Sequence, residues 1–324
     1  MKKYLCAALL LMTGGALLVS MQDTLQVPQA QDGRMPQLAA DKIDVADGKN
    51  AFVAELNEFW KARGSIELTT HHNKDLDGPK VTMRAAHDGE HVYIMAQWKD
   101  ATQSFTKKAW LFKDGKWTRQ EGDEDRIAIA FNMNAEGFAE KGCTVLCHSG
   151  QMGTKNKDEK ADMWHWKAAR GGQSGWCDEQ VFIHVAEADS RGNDAGKGSY
   201  TDNVNADKTA PTHVWKKDAK REGDLNADNS EAISADFKPE EGYTVPSVLI
   251  RNPEGSRGDV TCVSKWADST WTVVFKRKLK TGNDDDAQFE AGKAIDFAIA
   301  VLDNKGVSKG HDHAKSGPRK LTLK

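Results

Sequence analysis

The chain has 324 residues, 39 % of them apolar and 29 % charged, with 10 tryptophans and 11 phenylalanines. That composition excludes a polytopic membrane protein, a collagen-like chain and global disorder, because so much aromatic surface can build a sizeable core. A formal charge of -3, from 45 Lys+Arg against 48 Asp+Glu, leaves no basic excess, so nucleic acid is not an expected partner.

The N-terminus reads as an export signal over residues 1–22. Lys2 and Lys3 precede an apolar run from Leu5 to Val19. The stretch from Tyr4 to Met21 carries no charge and is just long enough to span a bilayer, so an uncleaved signal would act as a membrane anchor. Either way the remaining chain is expected outside the cytoplasm, in a periplasm. Residues 23–45 are polar and proline-containing and read as a linker. Residues 46–324 then form one domain.

Within that domain, Phe52, Leu56 and Trp60 recur at helical spacing and predict a short helix over Ala51–Arg63. Beyond it the apolar period is mostly two. Strands are predicted at Val81–Ala86, around Val92, Ile94, Ala96 and Trp98, around Ile127, Ile129 and Phe131, and at Val181–Val185, Trp271–Leu279, Ile295–Leu302 and Leu321–Leu323. Turn signals such as Asp88-Gly89, Asp114-Gly115 and Thr281-Gly282-Asn283 separate them. The expected fold class is all-β, an antiparallel β-sandwich with a few short helices. The segment from Glu187 to Gly242 is rich in Asp, Asn, Lys and Gly and reads as a long solvated insertion, 187–242.

The chemistry concentrates in two motifs and a tail. Cys143, Cys147 and His148 form C-x3-C-H, one residue longer than the usual haem-attachment spacing. Three readings are open for it: thioether attachment of haem with His148 on the iron, a Cys143–Cys147 disulfide, or a zinc site lacking an obvious fourth ligand. In the run from Asp162 to Arg170, strand geometry puts Trp164 and Trp166 on one face and Met163, His165 and Lys167 on the other. The Trp pair is either core or the wall of a porphyrin pocket, with Lys167 or Arg170 pairing a propionate. The tail carries His311 and His313 in an H-x-H pair, which reads as either a metal site or a chance pairing. His71, His72, His87, His91 and His184 read as ordinary polar residues. Cys177 and Cys262 are the two cysteines left over. In an oxidising compartment they are expected to form a disulfide.

Taken in order, these segments resemble the ethylbenzene dehydrogenase-related haem-binding family. The matching residues are Ala85-Ala86-His87-Asp88-Gly89-Glu90, Trp98-Lys99-Asp100-Ala101-Thr102 and Asp125-Arg126-Ile127-Ala128-Ile129. They continue with the cysteine motif, Asp162 to Arg170, Gly255 to Val260, Trp271 to Gly282, Asp285-Asp286, Gln288-Phe289 and Phe297 to Asn304. The resemblance implies a β-sandwich with one haem held by loops at one end. The family's gamma subunits ligate iron through Met and Lys and lack the cysteine pair. This chain departs from them at Cys143, Cys147 and His148 and looks like the c-type branch. The tail's Lys ligand in those subunits implies His313 as second ligand here, with His311, His165 and Met152 as alternatives.

The implied function is a periplasmic monohaem c-type cytochrome. It would carry one covalent haem c, or haem b if attachment fails, and exchange electrons with a periplasmic oxidoreductase or another cytochrome. Two protein ligands leave iron no open position for substrate, so electron transfer rather than catalysis is expected. The alternative is a non-haem β-sandwich module binding carbohydrate or metal, with a Cys143–Cys147 disulfide and Trp164 and Trp166 as a stacking platform.

Overall fold

Eleven strands of a fourteen-stranded sheet pair edge to edge along its main path. A computed structural model describes residues 37–72, 78–148, 151–187, 190–304, 313–315 and 317–324, with His72, His148 and residues 313–315 described through their backbone alone. The export signal and His311 lie outside the described residues. No helix among the described residues is long and apolar enough to cross a membrane.

In chain order the strands are β1 (Gln37–Lys42), β2 (Lys80–His87), β3 (His91–Lys99), β4 (Arg126–Asn132), β5 (Ala161–Lys167) and β6 (Asp178–Phe182). They continue with β7 (Arg191–Asn193), β8 (Thr261–Ala267), β9 (Thr270–Lys278), β10 (Ala294–Leu302) and β11 (Arg319–Leu323). Their spatial order is β7-β6-β5-β4-β10-β11-β1-β2-β3-β9-β8. The fold is all-β as the patterning implies, yet the sheet is mixed. Strand β1 runs parallel to both β11 and β2. Neither neighbour is joined to β1 by a tight turn, so hairpin geometry does not impose the antiparallel choice.

The sheet turns back on itself, and its two halves enclose the main core. Trp166 of β5 meets Trp271 of β9 with ring centroids 4.8 Å apart, and Trp98 of β3 lies 6.0 Å from Trp166. Rings of this size bury about 150–250 Å² each, so they dominate the contact between the halves. Ile127, Ile129, Phe131, Phe297, Ile299 and Val301 join them from β4 and β10. The β2–β3 hairpin closes where the sequence predicts. Asp88 Oδ1 accepts from the amides of Glu90 at 2.8 Å and His91 at 2.6 Å, and Gly89 has φ 92°.

Four local expectations change. The predicted helix over Ala51–Arg63 is two separate turns, Gly48–Ala51 and Glu58–Lys61. The first turn ends at Phe52, whose φ of -93° and ψ of 59° leave the helical region, and Asn57 starts the second by accepting from Trp60 N at 3.1 Å as its N-cap. The linker expected over 23–45 ends sooner than its composition suggests. Leu38 and Ala40 of β1 are buried. The strand predicted at Val181–Val185 runs instead over Asp178–Phe182; beyond it the backbone changes partner, Thr154 N donating to Ile183 O and Val185 N to Thr154 O.

The insertion 187–242 is not purely solvated. Val214, Trp215 and Leu225 inside it pack with Trp110, Tyr243, Val245 and Leu249 into a small second core. Its opening residues form β7 on the edge of the main sheet.

Candidate functional site

Strands β5, β4 and β10 lie side by side, and their outer face carries small side chains where the inner face carries bulky ones. One register row runs Gln180, Met163, Ala130, Ala298 across β6, β5, β4 and β10. The next runs Asp178, His165, Ala128, Ala300. Because side chains alternate along each strand, these rows share the face opposite Trp164, Trp166, Ile127, Ile129 and Ile299. Four alanines in two adjacent rows leave a flat shelf.

The cysteine motif closes over this shelf. A 3-10 turn, Gly142–Leu146, contacts β10, and its Leu146 packs with Phe138, Phe182, Met163, Ala128, Ala130 and Ala298. Cys143, Val145 and Met152 pack against the same cluster. Gly142 pins the turn close to the sheet. It has φ 58°, and a Cβ there would stand 3.1 Å from Pro318 N and 3.4 Å from the Ala298 methyl. Cys147–His148 then pairs with Gln151–Met152, with Cys147 opposite Met152. Cys147 Sγ lies 3.7 Å from Cys143 O, so one turn brings the two cysteines together, Cys147 at the surface. Met152 is held beside them. Its carbonyl accepts from Ser190 Oγ at 2.6 Å, and its sulfur from Arg191 Nη1 at 3.7 Å.

His165 is the polar centre of the shelf. It is 5 % exposed. Its Nδ1 lies 3.1 Å from Gln180 Oε1, and its Nε2 has no hydrogen-bond partner among the described residues. A carbonyl oxygen can only accept, so Nδ1 carries the proton and Nε2 keeps its lone pair. Burial lowers the imidazole pKa well below its usual value, and Lys167 and Arg126 reinforce this, so the ring is neutral. A neutral imidazole with one nitrogen hydrogen-bonded and the other open is the form that binds a metal.

The end of the shelf is cationic. The next register row runs Lys167, Arg126, Leu302 and His313. Lys167 donates to Asp178 and Arg170 to Glu124, both through buried ion pairs, and Arg170 reaches Tyr200 Oη at 3.2 Å. Desolvation lowers the Lys167 ammonium to about 8. The propionate-pairing role expected of Lys167 and Arg170 is therefore displaced by internal carboxylates. Arg191 has no ion pair among the described residues. It stands beside Met152 as the cation available to an anionic group. No sequence signal separates it from the other cations of the polar insertion.

Trp164 and Trp166 do not wall this site. Both are fully buried in the main core, on the far side of β5 from the cysteine turn. The same burial removes them as a sugar-stacking platform. Among the described residues the exposed large apolar side chains are Val45 and Leu56. His87 bonds the Lys324 carbonyl at 2.7 Å, and His91 faces Asp88.

Cys177 and Cys262 are two buried thiols, and the expected disulfide is not formed. They flank the Trp176–Thr261 bridge, which sets Cys177 opposite Val260. Cys262 is then its diagonal neighbour, roughly 7–8 Å away by strand geometry and beyond the usual reach of a disulfide.

The fold is a wrapped, mostly β sheet, with two cysteines in one turn and an unpartnered, buried imidazole nitrogen gathered over a small-residue face. The chain belongs to the ethylbenzene dehydrogenase family, whose model matches residues 57–314. No curated protein matches the chain in sequence. Among solved structures it is similar to a family 9 carbohydrate-binding module from Caldicellulosiruptor kristjanssonii in complex with glucose. That likeness has 8 % identity and TM-score 0.38 and covers 89 % of this chain and 96 % of that one. A putative carbohydrate-binding protein from Bacteroides uniformis is similar at 9 % identity and TM-score 0.39, covering 90 % of this chain and 100 % of that one.

Proposed function

We propose that this protein is a periplasmic monohaem c-type cytochrome that passes electrons to or from a respiratory oxidoreductase or another cytochrome. Family membership supports a redox setting. The observation that carries the haem assignment is the packing of the Cys143–Cys147 turn onto the alanine shelf that holds the open Nε2 of His165. The donor set fits: two thiols in one turn, His148 next in sequence, and a buried neutral imidazole. When bound, haem supplies the one-electron couple.

The chain's own residues do the rest. Cys143 and Cys147 would hold the group, and His148, next in sequence, would serve as a ligand residue. Gln180 keeps the proton of His165 on Nδ1. Leu146, Phe138 and Phe182 exclude water, and Arg191 offers a cation to a propionate. His313 is the second ligand the family resemblance implies. The open nitrogen of His165 supports His165 in that position instead. Ligation by two imidazoles would set a lower potential than Met/His ligation.

The test is expression in a host with cytochrome c maturation, followed by haem staining of a denaturing gel and a pyridine haemochrome spectrum. The wild type should stain, and the Cys143→Ala, Cys147→Ala double variant should not. His165→Ala should turn a low-spin spectrum high-spin. If His313→Ala does this and His165→Ala does not, the second ligand is His313. A wild type without haem under these conditions overturns the reading.

A further inference from the structure

Away from the shelf, on the edge of the main core, four acidic side chains converge around one buried guanidinium, that of Arg277. Asp162 comes from β5, Asp194 directly follows β7, and Asp286 lies in the connection between β9 and β10. One carboxylate oxygen from each lies within 4.8 Å of the others. All three residues are buried, at 0 %, 3 % and 1 % exposure. Glu179 of β6, also 0 % exposed, completes the group.

Their hydrogen bonds do not satisfy them. Asp162 Oδ2 accepts from Arg277 Nη1 at 2.7 Å and from Ala287 N at 3.0 Å, and Asp286 Oδ1 accepts from the same guanidinium at 3.2 Å. Glu179 Oε2 accepts from Val260 N at 2.8 Å. That leaves Asp162 Oδ1, Glu179 Oε1 and both oxygens of Asp194 buried and unpartnered among the described residues. Arg277 is the cation inside the group; nearby Arg257 bonds Asp178 through Nη2 alone, and its charge partly offsets that of Asp194 without a hydrogen bond to it. Orphan acceptors of this kind carry a large desolvation penalty unless something positive meets them.

From this convergence we infer that Asp162, Asp194 and Asp286, with Glu179 beside them, bind a divalent hard cation, and the donor set selects calcium. Every candidate donor is oxygen, which excludes metals that seek thiolate or imidazole. The site is too buried to keep the water shell that magnesium retains, whereas calcium accepts many direct carboxylate contacts. Without a cation, burial and the neighbouring Asp162 push the Asp194 carboxyl up to about 9. The bound ion would tie the β7 edge and the β9–β10 connection to β5. Nearby bonds already order that corner. Ala195 N donates to Asp285 Oδ2 at 2.7 Å, and Ser256 Oγ donates to Asp285 Oδ1 at 2.7 Å. The inference does not depend on the haem reading.

The experiment uses the full exported protein, stripped with a chelator and titrated with calcium chloride by calorimetry, with thermal melts in parallel. One equivalent of calcium should bind. Free calcium at about 100 times the dissociation constant should raise the folded-to-unfolded ratio about 100-fold. Magnesium should do less at equal concentration. Asp194→Asn should keep its circular dichroism and lose both the binding heat and the calcium-dependent rise in melting temperature. Asp286→Asn gives the same readout if the first variant does not fold. A stripped wild type that binds no calcium and melts identically with and without it overturns the inference, and the carboxyls then share protons instead. A calcium response retained in both variants overturns it as well.

Discussion

The two faces of β4, β5 and β10 are built by the same backbone under opposite rules. The inner face is specified by volume. Trp164, Trp166, Ile127, Ile129, Phe131 and Phe297 fill the space between the halves of the sheet, and their exact chemistry matters less than their fit. The outer face is specified by smallness and by a few placed polar atoms. Its alanines remove bulk, Gln180 sets the tautomer of His165, and the cysteine turn lies over both. Alternation lets one strand serve both purposes. A substitution on one face should therefore change folding, and the same kind of substitution on the other should change function.

The inner face gives the largest effect. Trp166 is fully buried and touches both Trp98 and Trp271. Trp166→Ala should cost about 3–5 kcal/mol, the range for deleting a large core aromatic. Urea denaturation followed by circular dichroism reads this directly, and a loss under about 1 kcal/mol would contradict the division between the faces.

Asp125 sharpens the comparison with a pH signature, because it anchors the core side of β4. Its Oδ2 accepts from Ser104 N at 2.7 Å and Trp271 Nε1 at 2.9 Å, and its Oδ1 from Asn304 N at 3.0 Å. Burial nevertheless raises its pKa from 3.8 to about 6. The folded chain thus holds this proton longer than the unfolded chain does. The contribution is complete below pH 3.8 and is lost as pH rises through about 6. Two pKa units correspond to about 3 kcal/mol. The urea midpoint of the wild type, measured against Asp125→Asn from pH 4 to pH 7, should lose that margin as pH rises. A constant difference across the range would show that Asp125 titrates normally.

The inner face was legible in the sequence because apolar residues at every second position report burial directly. The parity of Trp164 and Trp166 against Met163, His165 and Lys167 follows from the strand period alone. What the sequence concealed depends on register between distant segments. Ala128, Ala130, Ala298 and Ala300 are unremarkable strand residues until β4 and β10 align, and only then do they form a shelf. Asp194 sits in a segment whose polar composition suggests solvent, yet it is buried because β7 joins the sheet edge. Lys167 and Arg170 offered no sign of their ion pairs, since Asp178 and Glu124 reach them through folding. The helix over Ala51–Arg63 failed because the chain leaves helical geometry at Phe52 and starts again only at the Asn57 cap, which the spacing of Phe52, Leu56 and Trp60 does not reveal.

The smallest stability effect is the most informative, because it sets identical chemistry on the two faces. Ala96 of β3 is fully buried in the main core, while Ala300 of β10 is partly exposed on the shelf. Ala96→Leu inserts bulk into a packed interior and should cost about 1–3 kcal/mol through strain. Ala300→Leu adds the same atoms where no dense packing opposes them, and should stay within about 1 kcal/mol of the wild type. On the shelf, however, the added isobutyl group occupies the flat surface that a macrocycle would use. Ala300→Leu should therefore fold normally and bind little haem, as read by the ratio of Soret to protein absorbance, while the folded fraction of Ala96→Leu keeps the wild-type ratio. If Ala300→Leu retains full haem content, the shelf is not the binding surface, and the group must be sought on the other side of the cysteine turn.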